Sequence, residues 1–127
     1  MTVRTRRIPR SLIALALSLP CATAALPAEP FRPLDGREIR ARLTGMEFSD
    51  EVHWAHVFGR DGRLRSVSMG RKSTGTWRVE RDELCLKREG EERRCYRVWA
   101  SSRTVQLREP GTDVYEEGTV QKPQQRQ

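Results

Sequence analysis

Cys85 and Cys95 stand either side of "LKREGEERR", with Gly90 midway between them. Two thiols could exchange electrons, hold a metal or form a structural bridge. Redox pairs sit close together, as Cys-x-x-Cys at a helix start, and this pair does not. A hairpin turning at Gly90 sets Leu86 beside Arg94 and Cys85 opposite Cys95. Facing Cβ atoms on antiparallel strands lie within about 5.5 Å, a span a disulfide bridges. Strand alternation then sends Leu84, Leu86, Tyr96 and Val98 to the interior and the Cys85–Cys95 bridge to the outer face.

The other reactive types do not assemble into a catalytic motif. "HWAH" carries His53 and His56, but three-residue spacing on a strand points them to opposite faces, so they cannot share one ion. No G-x-S-x-G elbow accompanies the serines. "MGRKSTG" lacks phosphate-loop spacing and falls between strands, as a hairpin loop. Glu116 and Glu117 alternate faces and read as surface. These absences predict no enzyme, no metal and no cofactor. Arg60, Arg63, Arg65, Arg71 and Lys72 form a basic cluster at two consecutive hairpin ends. It reads either as a solvated arginine-rich surface or as a docking surface for a lipid headgroup, a sugar phosphate or an acidic protein. Trp54, Phe58 and Trp77, with Leu84, Leu86, Tyr96 and Val98, line a cavity or pack a core. Trp99 shares a face with Cys95 and points outward.

The elements that position these residues are legible in turn. Arg4, Arg6, Arg7 and Arg10, the apolar run "SLIALALSL" and "ATA" form an export signal over residues 1–24. "SLPC" resembles a lipoprotein box at Cys21, but Pro20 fits that box poorly. "TRRIPRSL" holds a twin arginine, and Pro9 sits where that signal wants an apolar residue. The apolar run is shorter than the roughly 20 residues a membrane span needs. Residues 25–33 read as a proline-rich linker and 34–122 as one domain, with a polar tail at 123–127. Asp35 and Glu38 form a capping box for a short helix over 36–44 that packs Ile39 and Leu43. Eight short strands follow from Met46, broken by turn signals such as Asp61-Gly62 and Pro110-Gly111. The expected fold is mainly β: a small antiparallel up-and-down barrel of about eight strands, with the helix plugging or flanking it. A two-sheet sandwich is the competing architecture.

Charge excludes one class of partner. The chain carries 24 Lys+Arg against 17 Asp+Glu, a net +7. Four of those arginines belong to the signal, so the remainder holds 20 against 17, or +3. Acids and bases interleave, as in "REGEERR", which is a solvated surface and not a nucleic-acid footprint.

"LDGREIRARLTG", the "DG" turn, "STGTWRVERDELCL" and the second cysteine in "RCYRVW" together resemble a family of small exported proteins of Gram-negative bacteria. The resemblance implies a lipocalin-like barrel and a periplasmic or secreted location. Its motifs are structural and carry no catalytic residue. The expected function is a non-enzymatic periplasmic binding module for a small apolar ligand or an envelope component. The alternative is an inhibitor or accessory protein that docks on a partner enzyme.

Overall fold

The computed structural model describes residues 1–3, 5, 17, 19–27 and 29–125. The arginines of the expected signal and nearly all of its apolar run lie outside the described residues.

Short turns carrying glycine, aspartate or serine every few residues force neighbouring strands to run antiparallel, and the chain winds as a meander. After β1 (Arg32–Pro33) and α1 (Gly36–Leu43) come β2 (Glu47–Ser49), β3 (Trp54–Phe58), β4 (Arg63–Ser68), β5 (Arg71–Glu80), β6 (Glu83–Arg88), β7 (Arg94–Ser101), β8 (Thr104–Arg108) and β9 (Tyr115–Gln121). Strands β2 to β9 pair in sequence order, and β9 returns to β2 through Phe48↔Val120, closing an eight-stranded antiparallel barrel. Closure removes the unpaired edges a sheet would otherwise present. The segment expected to be a linker ends in structure. Arg32 and Pro33 pair with Ala100 and Trp99 of β7, on the edge that β6 leaves free beyond Arg97.

A small barrel needs sharply coiled strands, and two glycines supply the coil. A Cβ at Gly75 would collide with the Lys87 carbonyl, and one at Gly118 would lie 2.5 Å from the Ser49 carbonyl oxygen.

The helix forms where the sequence places it. The Asp35 side chain accepts from the Glu38 N–H at 2.8 Å, and the Glu38 carboxylate accepts from the Asp35 N–H at 3.0 Å. Ile39 and Leu43 are fully buried, and each such side chain stabilises by roughly 1.5–3 kcal/mol. Two turns at the same end, β5–β6 and β7–β8, hold the helix. The Gly36 N–H donates to Asp82, the Arg40 guanidinium to the Val79 carbonyl, and Arg42 to the Ser102 carbonyl. The helix therefore plugs one end of the barrel.

Above that plug the interior is filled. Phe48, Phe58, Leu64, Leu84, Leu86, Val98, Val105 and Leu107 form one cluster, with Trp77 against Phe58 edge to face at 5.4 Å. Trp77 Nε1 donates to the Gly59 carbonyl at 2.8 Å, which satisfies its one polar atom. The Cys85–Cys95 disulfide is present at directly paired positions, with Cα atoms 4.0 Å apart. It lies on the outer face and is still shielded, Cys85 being buried. Arg78 and Arg93 both pair with Glu80, whose carboxylate lies 3.7 Å from the Cys85 sulfur.

Every barrel strand is displaced by one or two residues at one end or both from the pattern read in the sequence, and two of these shifts have a visible cause. Strand β3, which the sequence pattern would start at Val52, starts at Trp54, because the Asp50 carboxylate accepts from the N–H groups of Val52, His53 and Trp54 and ties them into a loop. Arg71 and Lys72 lie within β5 and not in a hairpin loop. The turn there is only Met69-Gly70, both at positive φ (48° and 79°), the two-residue geometry that matches strand twist.

Candidate functional site

Polar residues on the inward face gather in the half of the barrel away from the helix. His56 of β3, Ser66 of β4 and Arg88 of β6 meet there, with His56 and Ser66 both buried. His56 Nδ1 lies 2.8 Å from Ser66 Oγ, and the Arg88 guanidinium lies 3.2 Å from His56 Nε2. Arginine can only donate, so Nε2 is the acceptor and Nδ1–H donates to Ser66. Burial, and then the Arg88 charge, lower the His56 pKa to about 4, so the ring is neutral. Trp54 stacks on it at 5.2 Å.

This tautomer decides the chemistry. A serine that accepts from imidazole has no base to take its proton. The group on the far nitrogen is a cation, where a catalytic triad places a carboxylate. The cluster is a buried polar brace.

The remaining reactive types are likewise committed. His53 sits in the loop before β3 and pairs with Asp50 at 2.8 Å, away from His56. Glu80, Cys85 and Cys95 bring ligand-type atoms within 4.8 Å of one another, but the two sulfurs are bonded to each other and offer no thiolate. Burial first, then the Glu116 charge, raise the Tyr96 pKa, and it stays a neutral phenol.

The outer wall of β4, β5 and β6 is different. Register places Arg63, Thr76 and Lys87 side by side on one rung, and Arg65 beside Thr74 on the next. All five are exposed. They surround a concavity of about 430 Å³ that opens outward over Gly75. Arg63 Nε is 3.7 Å from Asp61, too long for a hydrogen bond. Arg65 and Lys72 have no acidic partner among the described residues. A second concavity, about 620 Å³, adjoins the first across Arg65 and Thr74. Ala55, Val57 and Val67 contribute the apolar part of its floor beside the buried Glu47 carboxylate, Lys72 one flank, and Pro123–Gln125 of the chain's own tail the other side.

Three of the five basic residues singled out from sequence therefore share this wall: Arg63, Arg65 and Lys72. Arg60 lies in the β3–β4 turn beside Gly45, at the helix end. Arg71 pairs with Ser68 on the inward-facing register. Trp54, Phe58, Trp77, Leu84, Leu86, Tyr96 and Val98 all belong to or pack against the interior cluster. Trp99 lies outside, with the Arg108 guanidinium 3.9 Å above its ring. Sequence reasoning missed Thr74, Thr76 and Lys87. The alternation Arg63-x-Arg65 and Thr74-x-Thr76 was the available signal, but only register shows that these pairs face one another.

No helix among the described residues is long and apolar enough to cross a membrane. No family model matches this chain, and neither a curated protein nor a solved structure matches it.

Proposed function

We propose that this protein is an exported, non-enzymatic docking module whose β4–β6 wall engages an anionic component of the cell envelope. The observation that carries the reading is the pairing of a filled interior with a concave basic wall. A barrel packed by Phe48, Phe58, Leu84 and Leu107 and plugged by Ile39 and Leu43 leaves its lumen to side chains. That weighs against a small apolar ligand held inside. Arg65 and Lys72, free of acidic partners among the described residues, give the wall its field. The disulfide fits an oxidising compartment, and the N-terminal motif fits export into one.

A second reading is docking on an acidic face of a partner enzyme. The apolar floor of Ala55, Val57 and Val67 beside the cations favours it, since a polyanion has no use for such a floor.

The test is binding of the purified chain to dextran sulfate, followed by calorimetry at increasing salt. Binding should weaken steeply with ionic strength and be lost in the double variant Arg65→Glu/Lys72→Glu, with the melting temperature unchanged. Equal binding to uncharged dextran, or full binding by the charge-reversed variant, would sink the proposal.

A further inference from the structure

We infer that the Arg63–Thr76–Lys87 rung is a binding site for a phosphate monoester. The inference rests on the docking reading above and names the chemistry of its ligand. Neighbouring strands lie about 4.8 Å apart, so Arg63 and Lys87 flank Thr76 from opposite sides at equal spacing. A tetrahedral group with three terminal oxygens fits that arrangement. One oxygen takes the Arg63 fork, one takes the Lys87 ammonium, and one takes the Thr76 hydroxyl between them. A carboxylate has only two oxygens, both in one plane, so it could meet three donors only by sharing an oxygen between two of them. Arg65 on the adjoining rung adds a third cation, which favours a dianionic phosphate monoester over a monoanionic sulfate ester or phosphodiester.

The neighbouring groups are compatible. Asp61 competes for Arg63 only at 3.7 Å. The Lys87 ammonium now donates to the Glu91 carbonyl and sits 3.4 Å from the Arg88 carbonyl, so at Lys87 a ligand exchanges with carbonyl oxygens, while at Arg63 it replaces the long contact to Asp61. Glu89 lines the far rim. At about 430 Å³ the concavity exceeds a bare phosphate and falls in the range of small-ligand sites. Thr74 can hydrogen-bond the group that carries the phosphate.

The probes are glucose 6-phosphate, vesicles containing phosphatidic acid, glucose, and glucose 6-sulfate, each titrated into ¹⁵N-labelled protein. Saturable shifts of the Thr74, Thr76 and Lys87 amides are expected with at least one monoester. Arg63→Gln and Lys87→Gln should each weaken binding at least about tenfold, as loss of a charge-assisted contact implies. Response to the sugar phosphate alone would identify a saccharide carrier, and response to the vesicles alone a lipid carrier. Silence with both monoesters overturns the inference, as does the sulfate ester binding as tightly as they do. If dextran sulfate still binds through Arg65 and Lys72, the docking reading survives that failure. If neither binds, both fall.

Discussion

The buried His56 makes stability depend on pH between its unfolded and folded pKa values. In the unfolded chain its pKa is the ordinary 6.5, and in the barrel it is lowered to about 4. Below pH 6.5 the unfolded chain therefore binds a proton that the folded chain refuses. Stability is fully present above pH 6.5 and is lost progressively as pH falls to about 4. One pKa unit corresponds to about 1.4 kcal/mol, and linkage over the whole window amounts to roughly 3 kcal/mol, of which about 2 kcal/mol is lost by pH 5. The perturbation is His56→Gln. Its amide can still accept from Arg88 and donate to Ser66, but it cannot titrate. Urea unfolding of both proteins at pH 7 and pH 5 is the assay. The difference in unfolding free energy between wild type and variant should shrink by about 2 kcal/mol at the lower pH. His53 and the carboxylates are common to both proteins and cancel. Parallel pH profiles would show that His56 is protonated in the folded barrel, and the assigned tautomer and the case against Ser66 as a nucleophile would fall with it.

Two further outcomes test the scaffold. The Cys85–Cys95 bridge closes a short loop with a separation of 10 residues, so Cys85→Ala/Cys95→Ala should cost roughly 3 kcal/mol on the chain-entropy account, with the far-ultraviolet circular dichroism of the barrel retained. An unfolding midpoint indifferent to reductant contradicts it. Leu43→Ala opens a hole in the plug and should cost about 2–5 kcal/mol, whereas exposed Arg37→Ala on the same helix should stay within about 0.5 kcal/mol. Equal effects from the two would mean that the helix flanks the barrel without sealing it.

Local rules made much of this fold readable. Asp35 and Glu38 cap a helix whatever surrounds it, because both hydrogen bonds close within three residues. The hairpin centred on Gly90 pairs Cys85 with Cys95 because a turn fixes register nearby, and alternation then commits Leu84, Leu86, Tyr96 and Val98 to one face. Tertiary structure decided what depends on distant strands. Closure of β9 on β2 brings together residues about 70 positions apart by sequence, and no local pattern reports it. The His56–Ser66–Arg88 brace needs three strands and the bare backbone of Gly75 between two of them. The "WAHVF" run of β3 is apolar on both faces, so alternation could not tell that Ala55 and Val57 floor an outer groove. Arg63, Thr76 and Lys87 are spread over two hairpins, and only their shared rung turns three solvated side chains into one surface. Sequence specified the segments, because capping, alternation and turn chemistry act over a few residues. The wall and the brace came from register across strands, a property no single strand possesses.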